Sequence, residues 1–466
     1  MLSIISIHLS YNSIVSKTKR CYVNSGAYIP EQEFEDGGKV IIQVVEGELE
    51  DIKVTGTRRL NQNYIRSRIA IATGKPLELK RLQEALQLLR INPLINDISA
   101  QLTTSPRPGK SFLAVKVTEA RSFNLQLSGN NARSPSVGTF RRGIQLSEGN
   151  LLGLGDGLSV AYTNTDGSNS IDASYTLPLN PANTTLSFAY GTAFSDIIEP
   201  PFNILGIESD SRYYELTLNH PLILTPTQQL DLGLTLSRRE NETSISLDNI
   251  GPTPISAGAD EQGRTRISAV RFFQQFTSRN SNSALALRSE FSIGLGALNS
   301  TINSEAPDSR FLAWRGQAAW LRLIGSNTEL LLRANVQLAD RPLLSLEQFG
   351  IGGLDSVRGY RQDTLLTDNG ISASAELRFP IFRIREWRGL VQIVPFIEFG
   401  SGWNSGNPNP NTNTNTLVSG GLGLRYQMGD NLTARFDWGI PFISVVDRER
   451  TLQEQGLYFS VLWNPF

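Results

Sequence analysis

The sequence contains very little of the chemistry on which most enzymes and metal sites depend. Among 466 residues there are one cysteine, Cys21, and two histidines, His8 and His220. A single cysteine cannot form an internal disulfide bond, and no cluster of histidines accompanies it to bind zinc. The chain carries 43 Lys and Arg residues against 44 Asp and Glu residues, a net charge of −1. Because nucleic-acid-binding domains are usually clearly basic, this balance argues against a nucleic-acid partner.

Long hydrophobic runs are also missing, although 39% of the residues are hydrophobic. No stretch reaches the roughly 18 apolar residues that a transmembrane helix needs, so helical membrane spans are excluded. Two classes remain, a soluble protein and a transmembrane β-barrel, in which lumen-facing residues keep the composition polar.

Catalytic motifs are absent as well. No G-x-S-x-G, H-E-x-x-H or C-x-x-C sequence occurs. The segment Ser105–Ser111 (SPRPGKS) ends like a phosphate-binding loop, but Thr104 stands where the first glycine is required. We therefore predict an ordinary turn there and another at Gly153–Gly157 (GLGDG). The sequence predicts neither a catalytic residue, nor a metal, nor a cofactor.

Before Ala120 the pattern is mixed α and β. Asn61 is a predicted helix cap, and Leu79–Arg90 places leucines on one helical face. With alternating strands around Ile52, Ile98 and Leu113, the order β-α-α-β-β predicts a compact α+β module. Upstream, the sequence predicts a helix at Ile14–Tyr22 and a strand at Val40–Val45, which together resemble the back half of a second such module.

After Ala120 apolar residues alternate with polar residues almost throughout, which is typical of β-strands with one apolar face. We count sixteen candidate strands, the weakest near Ile144, Ile267 and Trp320. The 346 residues from 121 to 466 then give about 22 per strand and connection, enough for a tilted membrane-crossing strand and its loop. A β-propeller, sandwich or β-helix is disfavoured because no blade or coil repeat is present.

The predicted connections alternate in length. Long segments follow the fifth, seventh and eleventh strands, at Thr192–Arg212, Arg239–Arg264 and Ala339–Asn369. Short segments follow even-numbered strands, at Pro178–Thr184, Thr277–Ser283, Gly325–Thr328 and Gly429–Asn431. All long loops then lie on one side of the meander, which is the asymmetry of bacterial outer-membrane barrels.

The longest connection contains the unusual segment Phe349–Asp363 (FGIGGLDSVRGYRQD), in which Arg358 stands among apolar residues and glycines. Glycines permit close packing of the backbone, and such an arginine requires a fixed acidic partner. Glu398 is a candidate, because it lies on the opposite face of its strand from Ile397 and Phe399, and that face is the lumen if the apolar face meets lipid.

These residues resemble the two-partner secretion transporters of the haemolysin-activator (TpsB) type, in the superfamily of the barrel-assembly proteins. Val357-Arg358-Gly359-Tyr360 matches the VRGY motif of that superfamily's sixth extracellular loop, which folds back into the barrel. Phe396-Ile397-Glu398-Phe399-Gly400 matches the F-x-D-x-G motif of the thirteenth strand, with Glu398 replacing Asp. The resemblance implies a loop-to-wall lock made by Val357, Arg358, Gly359, Tyr360, Phe396, Glu398 and Gly400. The terminal Phe466 resembles the family's carboxyl-terminal assembly signal.

The α+β module resembles the family's polypeptide-transport-associated (POTRA) domain, in GAYIPEQ at 26–32, QVVEGELE at 43–50 and the Asn92-Pro93 turn. We therefore expect an incomplete first POTRA domain at 1–46, a complete one at 47–120 and the barrel at 121–466. Met1–Val15 is mildly apolar but has no preceding basic residue and no clear cleavage site, so it is a poor signal peptide. An incomplete or misassigned start is expected.

The implied protein is an outer-membrane transporter of a Gram-negative-type bacterium, with its POTRA domains in the periplasm. It would secrete a large β-rich exoprotein, and its other partners would be outer-membrane lipid and the barrel-assembly machinery. An outer-membrane protein insertase of the same superfamily and a passive porin remain as alternatives.

Overall fold

The computed structural model describes residues 22–32, 39–247, 250–254, 257–325, 327–406, 415–445 and 451–465. The chain divides into two compact units. The first comprises Met1–Ser122 with Gly149–Asp156 and Leu177–Thr184, and the second comprises Phe123–Glu148, Gly157–Thr176 and Thr185–Phe466. Neither helix among the described residues is long and apolar enough to cross a membrane.

The first unit contains two small sheets. Strands β1 (Gly26–Tyr28) and β2 (Gln43–Val45) form an antiparallel pair. The second sheet has the order β3-β5-β4, in which β5 runs parallel to β3 and antiparallel to β4. Its elements are β3 (Glu48–Thr55), α1 (Gln62–Ala72), α2 (Leu79–Arg90), β4 (Ile95–Thr104) and β5 (Lys110–Glu119).

The helices of this unit follow the local sequence signals closely. The Asn61 side chain accepts a hydrogen bond from the Asn63 N–H (2.9 Å) and caps α1, as its position predicts. One face of each helix is buried on the sheet, through Ile65 and Ile69 of α1 and Leu82 and Leu89 of α2. The predicted β-α-α-β-β order is therefore present. The predicted helix at Ile14–Tyr22 falls almost wholly outside the described residues, and the strand predicted at Val40–Val45 is limited to Gln43–Val45.

The second unit is a closed antiparallel barrel whose wall has sixteen strands among the described residues. They are β6 (Phe123–Asn130), β7 (Arg141–Glu148), β8 (Gly157–Asn164), β9 (Ser168–Pro178), β10 (Thr185–Asp196), β11 (Ile207–Leu224), β12 (Gln228–Leu247), β14 (Arg264–Arg279), β15 (Ser283–Leu295), β16 (Leu312–Ile324), β17 (Thr328–Ala339), β20 (Asn369–Ile384), β21 (Gly389–Trp403), β22 (Thr416–Met428), β23 (Leu432–Pro441) and β24 (Leu457–Trp463). The barrel closes where β24 pairs with β6, from Ser460–Asn130 to Trp463–Leu127. This confirms the predicted sixteen-stranded barrel, including the three weakest strands.

In the described parts of the connections there are three further strands: β13 (Ile250–Pro254), which pairs with β12, and β18 (Phe349–Ile351) and β19 (Leu365–Thr367), which pair with each other. The extents predicted for two long connections were wrong. Strand β10 continues to Asp196 and β12 to Leu247, so these strands reach well into the segments predicted as loops. The third long connection, residues 340–368, is as long as predicted, and we call it the inner loop.

Side chains alternate between the two faces of the wall as the sequence pattern requires. On β21, Ile397 and Phe399 are exposed on the outer face, whereas Phe396 and Glu398 are buried on the inner face. On β11, Tyr214, Leu216 and Leu218 are likewise exposed. An apolar outer face and a polar interior are the pattern of a barrel that lies in lipid.

Candidate functional site

The candidate site is the place where the inner loop meets the inner face of the barrel wall. Arg358 lies in this loop and has no exposed surface. Three carboxylates surround its guanidinium group, and each belongs to a different wall strand: Glu376 on β20, Glu398 on β21 and Asp437 on β23. The loop is therefore held to the wall by an arginine whose charge is shared among three strands.

Glu398 makes the most extensive contact with Arg358. Its Oε2 accepts the backbone N–H of Arg358 (2.6 Å), and its Oε1 accepts Nε (2.9 Å) and also Nη2. One carboxylate thus binds both the main chain and the side chain of the same residue. The motif named above has aspartate at this position, and the longer glutamate side chain also makes this double contact.

The other two carboxylates complete the charge balance. Arg358 Nη2 donates to Glu376 Oε1 (2.9 Å), and Nη1 forms an ion pair with Asp437 Oδ1 (3.2 Å). Arg435 then bridges the two, with Nη2 at 2.7 Å from Glu376 Oε1 and Nε at 2.6 Å from Asp437 Oδ2. Because buried charges are costly unless they are paired, this interlinked arrangement is what allows five ionisable side chains to lie together in the interior of the barrel.

Burial and charge act in opposite directions on Arg358. Burial alone would lower its pKa, but the carboxylates of Glu398, Asp437 and Glu376 outweigh burial and hold the pKa above the ordinary value of arginine. The guanidinium carbon also lies 3.4 Å from the centroid of the Phe396 ring, which adds a cation–π contact. Arg358 therefore remains charged in the folded protein.

Glycines allow the loop to approach the wall. Gly359 has φ +96°, a conformation that L side chains rarely adopt. A Cβ on Gly439 of β23 would lie only 2.7 Å from the Gly359 nitrogen. A Cβ on Gly400 would overlap Ile351 Cγ2 and lie 3.0 Å from Val357 Cγ2. The backbone of the loop thus packs against the backbone of the wall.

Two tyrosines fasten the residues next to Arg358. The Tyr458 hydroxyl, from β24, accepts the Gly359 N–H (2.9 Å) and donates to the Tyr360 carbonyl oxygen (2.5 Å). The Tyr360 hydroxyl donates to the Val418 carbonyl oxygen (2.8 Å) of β22. Val357 completes the attachment, because it is buried in an apolar cluster with residues of the loop and the wall: Ile351, Tyr360, Leu365 and Leu417.

The structure therefore brings together all seven residues named for the loop-to-wall lock: Val357, Arg358, Gly359, Tyr360, Phe396, Glu398 and Gly400. Phe466, named as an assembly signal, lies outside the described residues. Sequence reasoning missed Glu376, Asp437, Arg435 and Tyr458. The available signal was weak: Glu376 and Asp437 each stand between two apolar residues of an alternating run, at inward-facing positions where many polar residues occur. No cluster of metal-ligating residues is present in the part of the chain that the structure describes.

Comparisons with known proteins identify a family and several similar chains. A family model described as haemolysin secretion/activation protein ShlB/FhaC/HecB matches residues 109–426. The chain is 21% identical over 379 residues to the heme/hemopexin transporter protein HuxB of Haemophilus influenzae, covering 78% of this chain and 64% of HuxB. It is 23% identical over 437 residues to the outer membrane transporter CdiB of Escherichia coli, covering 92% of this chain and 71% of CdiB.

The solved structure of CdiB from Escherichia coli superimposes with a TM-score of 0.75 at 21% identity, over 98% of this chain and 83% of that one. The chain spans 64% of the length of HuxB, less than two thirds. A closed barrel with these relatives places the protein in the outer membrane of a Gram-negative bacterium. Because the family model matches well over half of its residues, the chain belongs to the haemolysin secretion/activation protein family, ShlB/FhaC/HecB.

Proposed function

We propose that the protein is a two-partner secretion transporter that exports one large β-rich exoprotein across the outer membrane. The observation that carries this proposal is the inner loop, held inside a sixteen-stranded barrel by Arg358 and three wall carboxylates. A loop fastened in this way sets the conformation of the pore. We therefore propose that the loop-to-wall lock keeps this loop in position during transport.

The α+β module is proposed to be the POTRA domain at 47–120, preceded by residues of a first such domain at 1–46. Its sheet has β5 in the centre and β3 and β4 at the edges. An edge strand can add an extended segment of another chain by backbone hydrogen bonding, with alternate side chains setting the register. We propose that one of these edge strands binds the unfolded exoprotein. The exoprotein then passes through the lumen and folds outside the cell, and this folding gives transport its direction without ATP.

Substitution of Arg358 tests the lock. Arg358→Ala leaves three buried carboxylates with only Arg435 and its neighbours to balance them, and loss of one partner of a buried ion pair costs about 3–5 kcal/mol. We expect secretion to fall strongly while the barrel still inserts, as judged by a mobility difference between boiled and unboiled gel samples. Arg341→Ala is the matched control, because Arg341 lies in the same loop but is substantially exposed and pairs only with its neighbour Asp340 in the described contacts.

The result has two readings. Normal secretion by Arg358→Ala would remove Arg358 from the mechanism. Equal loss in Arg358→Ala and Arg341→Ala would show that any change in the loop is harmful and that the ion pairs have no special part.

A deletion strain separates this function from the two alternatives. Loss of a single protein from the medium supports specific secretion, whereas a fall in many outer-membrane barrels would indicate an insertase. A secretion transporter and an insertase would share the proposed partners, outer-membrane lipid and the barrel-assembly machinery. A porin would instead conduct small solutes steadily in a planar bilayer, and narrow, flickering conductance would contradict that reading. No enzymatic role is proposed, since the family is one of transporters.

A further inference from the structure

The inner loop makes a second buried ion pair, away from Arg358. Glu347 lies in a short 3₁₀ turn, Ser345–Glu347, in the part of the loop that follows β17. Its Oε2 accepts from Arg271 Nη1 (3.0 Å) and its Oε1 from Arg271 Nη2 (2.6 Å), a bidentate contact. Arg239 Nη1 lies 3.3 Å from the same Oε1. Glu347 and Arg271 are only 5% and 6% exposed.

The wall holds both members of this pair in a fixed orientation. Arg271 Nε donates to Ser237 Oγ (3.1 Å) and its Nη1 donates to Ser292 Oγ (2.9 Å). The backbone carbonyl of Glu347 accepts from Gln337 Nε2 (2.9 Å). Buried polar groups that make several hydrogen bonds in this way define one geometry, because any displacement leaves some of them unsatisfied.

Apolar contacts secure the residues immediately before Glu347. Leu343 and Leu344 are 2% and 1% exposed. They lie in a cluster with four wall residues from β14 and β16 or next to β16: Ile267, Ala269, Phe311 and Ala313. The Glu347 ion pairs and this cluster together form what we call the arm anchor, comprising Leu343, Leu344 and Glu347 of the loop with their wall partners.

The arm anchor and the loop-to-wall lock lie on different parts of the wall. Arg271 is on β14, the eighth strand of the ring, whereas Glu398 is on β21, the thirteenth, and Asp437 is on β23, the fifteenth. The separations are 13 − 8 = 5 and 15 − 8 = 7 strands in a closed ring of sixteen. The inner loop is therefore fastened to the wall at two places that lie several strands apart.

The two attachments also have opposite polarity. At the lock the loop supplies an arginine and the wall supplies carboxylates, whereas at the arm anchor the loop supplies a carboxylate and the wall supplies arginines. Burial alone would raise the pKa of Glu347, but Arg271 and Arg239 outweigh burial and hold the pKa below the ordinary value. Glu347 is therefore ionised and paired.

We propose that Glu347 is a second positioning residue of the transporter: by pairing with Arg271 it fixes the arm of the inner loop against β12 and β14 and so keeps the loop across the pore. The inference rests on the proposed function only in that the inner loop sets the conformation of the pore. It does not depend on the identity of the exoprotein. Release of Leu343, Leu344 and Glu347 from the wall is then a step in pore opening that the VRGY residues do not control.

Single-channel recording on the purified protein in planar bilayers tests this proposal. Glu347→Gln keeps the size of the side chain and removes its charge, and we expect the frequency of pore opening to rise about tenfold, since loss of one partner uncouples a buried pair. Arg271→Gln should do the same. If the two residues act through one contact, the double variant should open no more often than either single variant. Glu305→Gln, the same change at an exposed position in the β15–β16 connection, should match the parent protein.

Chemical labelling gives an independent readout of the arm. In a Cys21→Ser background, Leu344→Cys places a thiol at a buried position, where maleimide should react slowly. Glu347→Gln should accelerate this reaction, and the mobility difference between boiled and unboiled samples verifies that the barrel is folded. The proposal is overturned if opening and labelling both stay at parent levels in Glu347→Gln, or if the effects of Glu347→Gln and Arg271→Gln simply add. Neither experiment uses an exoprotein, so failure to find a secreted partner would count against the proposed function and leave this result unaffected.

Discussion

Gly400 shows how a single residue without a side chain contributes to the docking of the inner loop. It lies on the inner face of β21, two residues after Glu398, and a Cβ there would overlap Ile351 and crowd Val357. Both of these side chains are completely buried parts of the loop. The position therefore requires glycine because of what packs against it, and its backbone conformation imposes no such demand.

Gly400→Ala should consequently displace the loop while leaving the strand intact. Overpacking a buried contact typically costs about 1–3 kcal/mol, so we expect a lower temperature for loss of the unboiled gel mobility and more frequent pore opening. Gly157→Ala on β8 is the control, since a Cβ at Gly157 would meet nothing within 4 Å. If Gly400→Ala melted at the same temperature as Gly157→Ala, the packing of Ile351 and Val357 on Gly400 would not be restrictive.

At the scale of helices and strands, the sequence predicted best those features that are determined by residues close together in the chain. The helix Leu79–Arg90 has the predicted bounds, because leucine spacing, the arginine in its last turn and Pro93 all act within a few residues. The wall strands were identifiable since a wall with lipid on one side and polar lumen on the other imposes a period of two. The ends of the strands were not identifiable in the same way, because β11 and β12 continue with polar residues on both faces beyond the apolar band.

The partners within the site could be predicted only in part, for the same reason. The Arg358–Glu398 pairing is predicted by the alternation of the strand that carries Glu398 and by the motif resemblance. The contacts of Arg358 with Glu376 and Asp437 were not predicted, and neither was the Glu347–Arg271 contact. These contacts join segments that are apart in the sequence, and Glu347 and Arg271 are separated by 76 positions. No local pattern encodes which of many inward-facing charged residues will meet, so these contacts required the folded barrel.

The segment that leads into α1 offers a pH-dependent prediction at this scale. The Glu119 carboxylate, at the end of β5, accepts the backbone N–H groups of Arg58 (2.6 Å), Leu60 (2.9 Å) and Arg59 (3.2 Å). Partial burial would raise the pKa of Glu119, but these three hydrogen bonds outweigh burial and lower it. A carboxyl group whose pKa is lower in the folded than in the unfolded state stabilises the fold above the unfolded value of about 4.3, and this stabilisation is lost as the pH falls through the lowered folded pKa.

We therefore expect hydrogen-exchange protection at Arg58–Leu60, corrected for the intrinsic exchange rate, to be full near neutral pH and to decline below about pH 4. Glu119→Gln should weaken protection at neutral pH and flatten its dependence on pH. The control is Glu84→Gln on α2, where the carboxylate pairs with the Lys80 side chain one turn away (4.0 Å). An unchanged pH profile in Glu119→Gln would show that another group governs this segment.

At the scale of the whole molecule, the barrel is closed by the pairing of its last strand with its first. Strand β24 meets β6 over four residue pairs, from Ser460–Asn130 to Trp463–Leu127. A transporter that threads its substrate through the lumen has no need to open this seam. An insertase has to pass strands sideways from the barrel into the bilayer, which requires the wall to part.

Crosslinking the seam therefore distinguishes the two mechanisms. Ser128 and Leu462 are direct partners across β6 and β24, and paired residues in antiparallel strands have Cα atoms about 4.5–5.5 Å apart, within the range that a disulfide spans. In a Cys21→Ser background, we expect Ser128→Cys/Leu462→Cys to form a disulfide in the oxidising cell envelope and to secrete as well oxidised as reduced. A control disulfide at the partners Ser159 and Ser174 of β8 and β9 measures any general effect of crosslinking the wall. If the seam disulfide alone stopped export, and a reductant restored it, the exoprotein would have to leave through the wall, and transport through a closed lumen would be refuted.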